Sequence, residues 1–395
     1  MGVWDELTGQ ADAIAVFTAA ASSSASGSTM THAWLITGPP GSGRSNLAYA
    51  FASALLAREG DEDATARQVA ARTHPDLGVL STERVIIGID EVRQLVTSSQ
   101  FSPSVGRFRV MVIEDADRMS ERASNVLLKA LEEPPPRTVW ILCAPSEADL
   151  IPTIRSRVRT VRLRVPAVDE VAELISRRDG VDLPTATRAA REAQSHIGMA
   201  HRLATNAEAR ERRQKTLETA LGIRSVSDAV IAAATLLELA GADAKAITEE
   251  RDAEEREAAL RSLGIAPGGT IPPALRGQLK TLEEDQKRRA TRSLRDGIDR
   301  ILVDLLSLYR DVLLLQLGSP LEPINLSIHS RLLAAVEVST PAMTLETMDA
   351  IATARRRIDG NVGPALALEA MLISAVRGDA VRGGADAAAA NRATR

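Results

Sequence analysis

Gly38-Pro39-Pro40-Gly41-Ser42-Gly43-Arg44-Ser45 follows the frame G-x-x-x-x-G-K-[ST] of a phosphate-binding loop, with arginine where the frame has lysine. The apolar run Ala33-Trp34-Leu35-Ile36 leads into it, and a helical pattern from Asn46 to Ala57 leads out. Strand, loop and helix in that order are the setting the frame requires. Gly38, Gly41 and Gly43 let backbone N–H groups turn toward a phosphate, the next helix offers its positive end, and Ser45 stands where a magnesium-ligating hydroxyl belongs. A plain glycine-rich turn would have no need of that serine. Arg44 is a planar, larger cation than lysine and does not replace its point charge between two phosphates. The spacing predicts a formed loop that supports hydrolysis poorly.

Further along, Phe108-Arg109-Val110-Met111-Val112-Ile113 is nearly all apolar, as expected of a strand covered on both faces, and ends at Glu114, Asp115 and Asp117. Carboxylates at that place hold a metal and orient water in nucleotide sites; they also serve simply to cap the next helix. The customary order is Asp then Glu. Glu114-Asp115 reverses it, which misplaces each carboxylate by about one methylene and is a second departure from a hydrolytic site. Ser120 to Leu131 reads as a helix capped by Ser120 and stopped by Pro134-Pro135-Pro136, and Val139–Cys143 as another buried strand. Gly78-Val79-Leu80 and Ile89–Ser98 supply a further strand and helix between the two motifs. Alternating strands and helices give a parallel α/β sheet that finishes near Val165.

After Pro166 strands almost vanish. Asp169–Arg177, Pro184–Gln194 and a third helix after a turn at Ile197-Gly198 make a small helical unit. Residues 207–279 are helical and highly charged, with a Gly/Pro loop at 266–273. Residues 274–318 and 326–377 read as a bundle of longer helices, with Leu305, Leu308, Val312 and Leu315 at core spacing. Ala21–Ser28 reads as a small-residue linker and the chain beyond Arg382 as a disordered tail.

Composition sets the limits. The 395 residues suffice for two or three domains, and 45% hydrophobic with 25% charged residues is ordinary for a globular protein. A net charge of −4 gives no global attraction to nucleic acid. Eight of nine aromatics lie at or before Trp140, so the rear of the chain has no base-stacking platform. The lone Cys143 excludes an internal disulfide and a cysteine zinc cluster, and the five histidines lack metal-ligand spacing. No signal peptide is read at the start. The apolar stretch Ile301–Leu317 carries Asp304, Arg310 and Asp311, which argues against a bilayer span; a cytoplasmic location is expected.

Asn125-Val126-Leu127-Leu128-Lys129-Ala130-Leu131-Glu132-Glu133-Pro134-Pro135 is the most specific stretch, and it resembles the bacterial clamp-loader branch of the AAA+ ATPases. Ile154-Arg155-Ser156-Arg157-Val158 resembles that branch's Ser-Arg-Cys signature, with Val158 in place of cysteine. His74-Pro75-Asp76 and Ile89-Asp90-Glu91-Val92-Arg93 fit the same family, and the specific resemblance covers about 1–210. It implies a domain over 1–165 of AAA+ P-loop type, a helical lid over 166–206, an all-α C-terminal oligomerisation domain over 207–380 with a variable part at 207–279, and a tail at 381–395. It also implies hetero-oligomeric partners: motor subunits (gamma/tau), a delta subunit, a sliding clamp and primed DNA, at replication forks.

ATP and Mg²⁺ are the family's cofactors. Arg44 and the reversed Glu114-Asp115 pair set this chain apart from the motor subunits; the absence of the zinc module that many members carry is a departure for motor and non-motor members alike. The resemblance points instead to a non-hydrolysing member that is grouped with DNA-directed DNA polymerase, a nucleotidyltransferase, only through its holoenzyme. In that case Arg157 acts as an arginine finger on a neighbour's ATP. Two rivals stay open. One is a self-sufficient ATPase using Arg44 and Asp115. The other is a scaffold whose Arg155, Arg157, Arg159, Arg162 and Arg164 meet nucleic-acid phosphates. His201 falls where motor subunits have a phosphate-sensing arginine.

Overall fold

Two rows of buried side chains explain the sheet. Along the strands, Trp34, Ile36, Val110, Val112, Val139, Ile141 and Cys143 belong to one apolar cluster, while Ala33, Leu35, Met111, Ile113, Trp140, Leu142 and Ala144 belong to another. Successive side chains point to opposite faces of a strand, so strands without polar alternation must be covered twice. They are. In this computed structural model, which describes residue 4 and residues 7–22, 30–81, 86–262 and 276–376, five parallel strands lie in the order β2-β3-β4-β1-β5. They are β1 (Ala33–Thr37), β2 (Leu77–Leu80), β3 (Arg109–Ile113), β4 (Thr138–Ala144) and β5 (Arg159–Arg162). Helices α1 (Ala11–Ser22), α2 (Arg44–Leu56) and α3 (Glu62–Ala70) come from the first half, followed by α4 (Ile89–Ser99), α5 (Glu121–Glu132) and the single turn α6 (Pro152–Arg155).

The first face is sealed by α1 and α2 around three aromatics. Phe17 lies 4.4 Å from Phe51 and 5.1 Å from Trp34 between ring centroids, and all three are fully buried. The second face is sealed by α4 and α5 through Val92, Leu95, Leu127 and Leu131. Register is tight where it matters: Thr37, the last residue before the glycine frame, pairs with Ala144, and Ile113, the last before the acids, pairs with Leu142. The ends of β1 and β3 therefore open on the same edge of the sheet with β4 between them, at the carboxyl ends where open α/β sheets build their sites.

Three helices complete this unit: α7 (Val168–Asp179), α8 (Leu183–Glu192) and α9 (Ile197–Thr205). One sequence expectation shifts here. The turn before α9 is not at Ile197-Gly198, because Gln194 and Ser195 take the left-handed backbone (φ 50° and 62°) and Ile197 already starts the helix. Residues 58–72, a charged stretch without clear periodicity, contain α3, whose apolar contribution is a single fully buried Val69. Ala21 and Ser22, expected in a linker, close α1; the rest of that linker, the loop at 266–273 and the tail lie outside the described residues.

A second unit begins at Asn206 and holds its own core. Helices α10 (Ala207–Leu221), α11 (Val226–Ser262), α12 (Arg276–Gln316), α13 (His329–Val338), α14 (Pro341–Asp359) and α15 (residues 364–376) form a bundle. Leu305, Leu308 and Val312 are buried in its core and Leu315 is partly buried against it. The charges within the apolar stretch are accounted for locally. Asp304 receives Arg213 Nε at 2.9 Å, and the fully buried Asp311 accepts the backbone N–H of Asn325 at 2.8 Å and that residue's amide at 2.9 Å. Among the described residues no helix is long and apolar enough to cross a membrane.

Candidate functional site

The glycine frame forms the loop expected of it. Gly41 (φ 78°) and Gly43 (φ 90°) occupy the left-handed region that glycine adopts without strain, and Gly43 caps α2, which begins at Arg44 with Ser45 half-buried in its first turn. Gly38 opens the loop, its N–H donating to Pro145 O at 3.2 Å. What fills the loop is its own substance. Arg44 Nη1 turns back across the loop to donate to Gly38 O, its first residue, at 3.0 Å. A Cβ on Gly41 would run into the ring of His196, which comes from the turn between α8 and α9. Ile197 N–H donates to Gly41 O at 3.3 Å, and His196 Nδ1 accepts Met199 N–H at 3.2 Å, so the ring also caps α9. From the other side the buried Gln10 reaches Ser42 O at 3.5 Å and exchanges hydrogen bonds with the backbone of Arg164 at 2.9 and 3.2 Å. The α8–α9 turn and the loop meet by direct contact.

The acidic end of β3 is likewise engaged. Glu114 accepts the hydroxyl proton of Tyr49, from α2, and Arg72 Nη2 at 2.7 Å. Arg72 holds a left-handed backbone (φ 57°) that brings its guanidinium 5.5 Å over the Tyr49 ring. Burial, reinforced by the Glu114 carboxylate, pushes the Tyr49 hydroxyl well above its ordinary range. Glu114, assigned from sequence to a metal position, is therefore held in a tyrosine–arginine clamp. Asp115 starts a 3₁₀ turn (Ala116–Arg118). Asp117 sits close enough to feel Asp115 and Arg44; burial raises its carboxyl pKa and Asp115 adds to the rise, against Arg118 and Arg44. Cys143, fully buried, has its thiol pushed up to about 12 by burial and is core.

The fold is of the nucleotide-binding type, yet the residues present do not fit a bound Mg·nucleotide in this arrangement. The loop's cation is turned inward, the His196 ring rests on Gly41, and Glu114 is committed to Tyr49 and Arg72. Among the described residues no cluster of three or more His, Cys, Asp and Glu side chains is placed to hold a metal ion.

Arg157 lies two residues past α6, half-buried, with 34% of its side chain exposed. Nη2 pairs with Glu132, the last residue of α5, at 2.5 Å, and Nη1 donates to Thr153 O at 2.7 Å and Ser156 Oγ at 3.0 Å. The two most specific stretches of the sequence thus meet through one ion pair. The other arginines of that run do not form one free cationic face. Arg159 stacks on Trp34 at 5.0 Å and Arg164 pairs with Glu170 at 2.5 Å. Arg159 and Arg162 are also exposed on β5, an edge strand, where charge discourages pairing with another chain. His201, on α9, is held against the end of α7, with Nδ1 2.7 Å from Asp179.

One residue of the family-like motifs gains a role that spacing could not give. Asp76, fully buried, accepts the N–H groups of Ser104, Val105 and Gly106, each at 2.7 Å, and the Ser104 hydroxyl at 2.9 Å. Burial alone would raise its pKa; these four donors outweigh it and hold the carboxyl at about 2. The clip fixes the loop leading into β3.

Residues 10–167 match the family described as DNA polymerase III, delta subunit. The delta-prime subunit of Pseudomonas aeruginosa is 35% identical over 154 residues, 37% of this chain and 47% of that protein. The tau subunit of Bacillus subtilis is 35% identical over 133 residues, 32% of this chain and 23% of that one. The chain thus spans less than half the length of the relatives it matches. A gamma subunit-related protein from Thermotoga maritima superposes at a TM-score of 0.38 and 17% identity, covering 88% of this chain and 94% of its own.

Proposed function

We propose, from the premise that this chain is a bacterial clamp-loader AAA+ protein related to the DNA polymerase III delta-prime, gamma and tau subunits, that it is the delta-prime, stator member of such a loader. The observation that carries this reading is the contrast between two arginines. Arg44 is turned into its own loop, while Arg157 stands half-exposed at the surface, held there by one carboxylate. A chain with an idle site and a presented arginine suits a subunit that completes a neighbour's site.

In this reading residues 1–165 are the nucleotide-binding-type domain, 166–206 its lid and 207–380 the collar that joins gamma/tau and delta. The assembly opens the sliding clamp and sets it on primed DNA in the cytoplasm. Arg157 stabilises charge on the γ-phosphate bound by the adjacent motor subunit, an effect worth about 10³–10⁵ in rate for arginine fingers supplied in trans. The chain itself hydrolyses little or nothing.

The test is the DNA- and clamp-stimulated ATPase of the full complex, with Arg157→Ala in this chain only. A fall of about tenfold or more with assembly intact is expected. An unchanged rate sinks the finger assignment, and turnover of Mg·ATP by the lone chain would make it a motor instead.

A further inference from the structure

Glu132 and Arg157 stand 25 positions apart with β4 and α6 between them, yet their side chains meet at 2.5 Å. The acid is firmly based. It ends α5, and the carbonyl just before it, Leu131 O, lies 2.8 Å from His32 Nε2, while His32 O accepts Trp140 N–H at 2.7 Å. The position of Glu132 is thus tied to the start of β1 and to β4. The arginine is tethered on its other branch by Thr153 O and Ser156 Oγ. Both partners remain part-exposed, 34% and 46% of their side chains, so an incoming anion can reach the guanidinium.

We propose that Glu132 is a positioning residue for Arg157: a resting counter-ion that holds the finger on its own subunit and is exchanged for the γ-phosphate of the neighbour's nucleotide. The inference rests on the trans-finger reading above. A guanidinium paired to a carboxylate has its charge largely compensated and its donors in use. Before it can serve a phosphate it must give up Glu132, and the more highly charged phosphate wins that exchange. The cost of release falls alike on the ATP-bound ground state and on the transition state. A cost shared by both states appears in KM and leaves kcat alone. Glu132 therefore sets how much ATP the neighbouring site needs before it fires, while Arg157 sets how fast it fires.

The experiment uses the complete loader with this chain as wild type, Glu132→Gln, Glu132→Asp or Arg157→Ala, and measures steady-state ATPase against ATP concentration with DNA and clamp present. Glu132→Gln keeps the size of the side chain and removes its charge. It is expected to lower KM at least threefold with kcat within twofold of wild type, and Glu132→Asp to restore the wild-type KM. A merely structural acid would instead lower thermal stability and leave that KM–kcat split unmoved. An unchanged or raised KM in Glu132→Gln, or a kcat loss like that of Arg157→Ala, overturns the exchange. If Arg157→Ala itself leaves turnover intact, the finger reading fails, which is a separate outcome read from a separate variant.

Discussion

Asp76 shows how much one buried charge can organise when every lone pair has a donor. Its carboxylate is surrounded by three backbone N–H groups and a hydroxyl, with Arg109 Nη1 at 3.3 Å. Asp76→Asn leaves one acceptor oxygen for several donors and turns an NH₂ toward N–H groups. We expect a loss of about 3–5 kcal/mol, as for broken buried charge networks, read from urea unfolding at neutral pH. The pH dependence has a definite sign. The folded pKa of about 2 lies below the unfolded value of about 3.9, so the carboxylate stabilises the fold above pH 4 and that contribution fades as pH falls through 2. The stability gap between wild type and Asp76→Asn should accordingly narrow between pH 5 and pH 2. A constant gap would mean that the charge is not what holds the loop.

At the scale of elements, close approach decides the α11–α12 pair. A Cβ built on Gly297 of α12 would lie 3.1 Å from the backbone oxygen of Ala240 in α11, and Ala240 and Ala244 are small and buried at that part of α11. Gly297→Leu must push two helix backbones apart. The expected loss is about 1–3 kcal/mol, typical of overpacking, measured as a lower unfolding midpoint; an unchanged midpoint would mean the helices have room. Such crossings also show what could be read from sequence. Continuous apolar runs gave β1, β3 and β4 because burial on both faces leaves no polar alternation, and Ser120 marked the start of α5 because its hydroxyl accepts the Ala123 N–H. The glycine frame likewise announced its own turn. By contrast, α3 carries one buried valine among charges and leaves little periodic trace. The capture of Glu114 by Tyr49 and Arg72, and the seat of His196 on Gly41, depend on which loops the fold brings together. No local pattern encodes those meetings, so Glu114 was legible as an acid at a strand end but not as a clamped one.

At the scale of the molecule, each unit has its own apolar core among the described residues: the clusters on the two faces of the sheet end at Leu163, and the bundle core starts at Leu217. Hydrophobic burial is the main favourable term in folding, so each unit carries its own cooperative stabilisation. Calorimetry of the full chain should therefore resolve two transitions. Asp76→Asn should lower only one and Gly297→Leu only the other, by about 2–4 °C for each kcal/mol lost in units of this size. If both substitutions moved a single transition together, the two cores would be unfolding as one. On the proposed stator reading, that outcome would also count against a bundle that keeps its subunit contacts while the N-terminal unit responds to a neighbour.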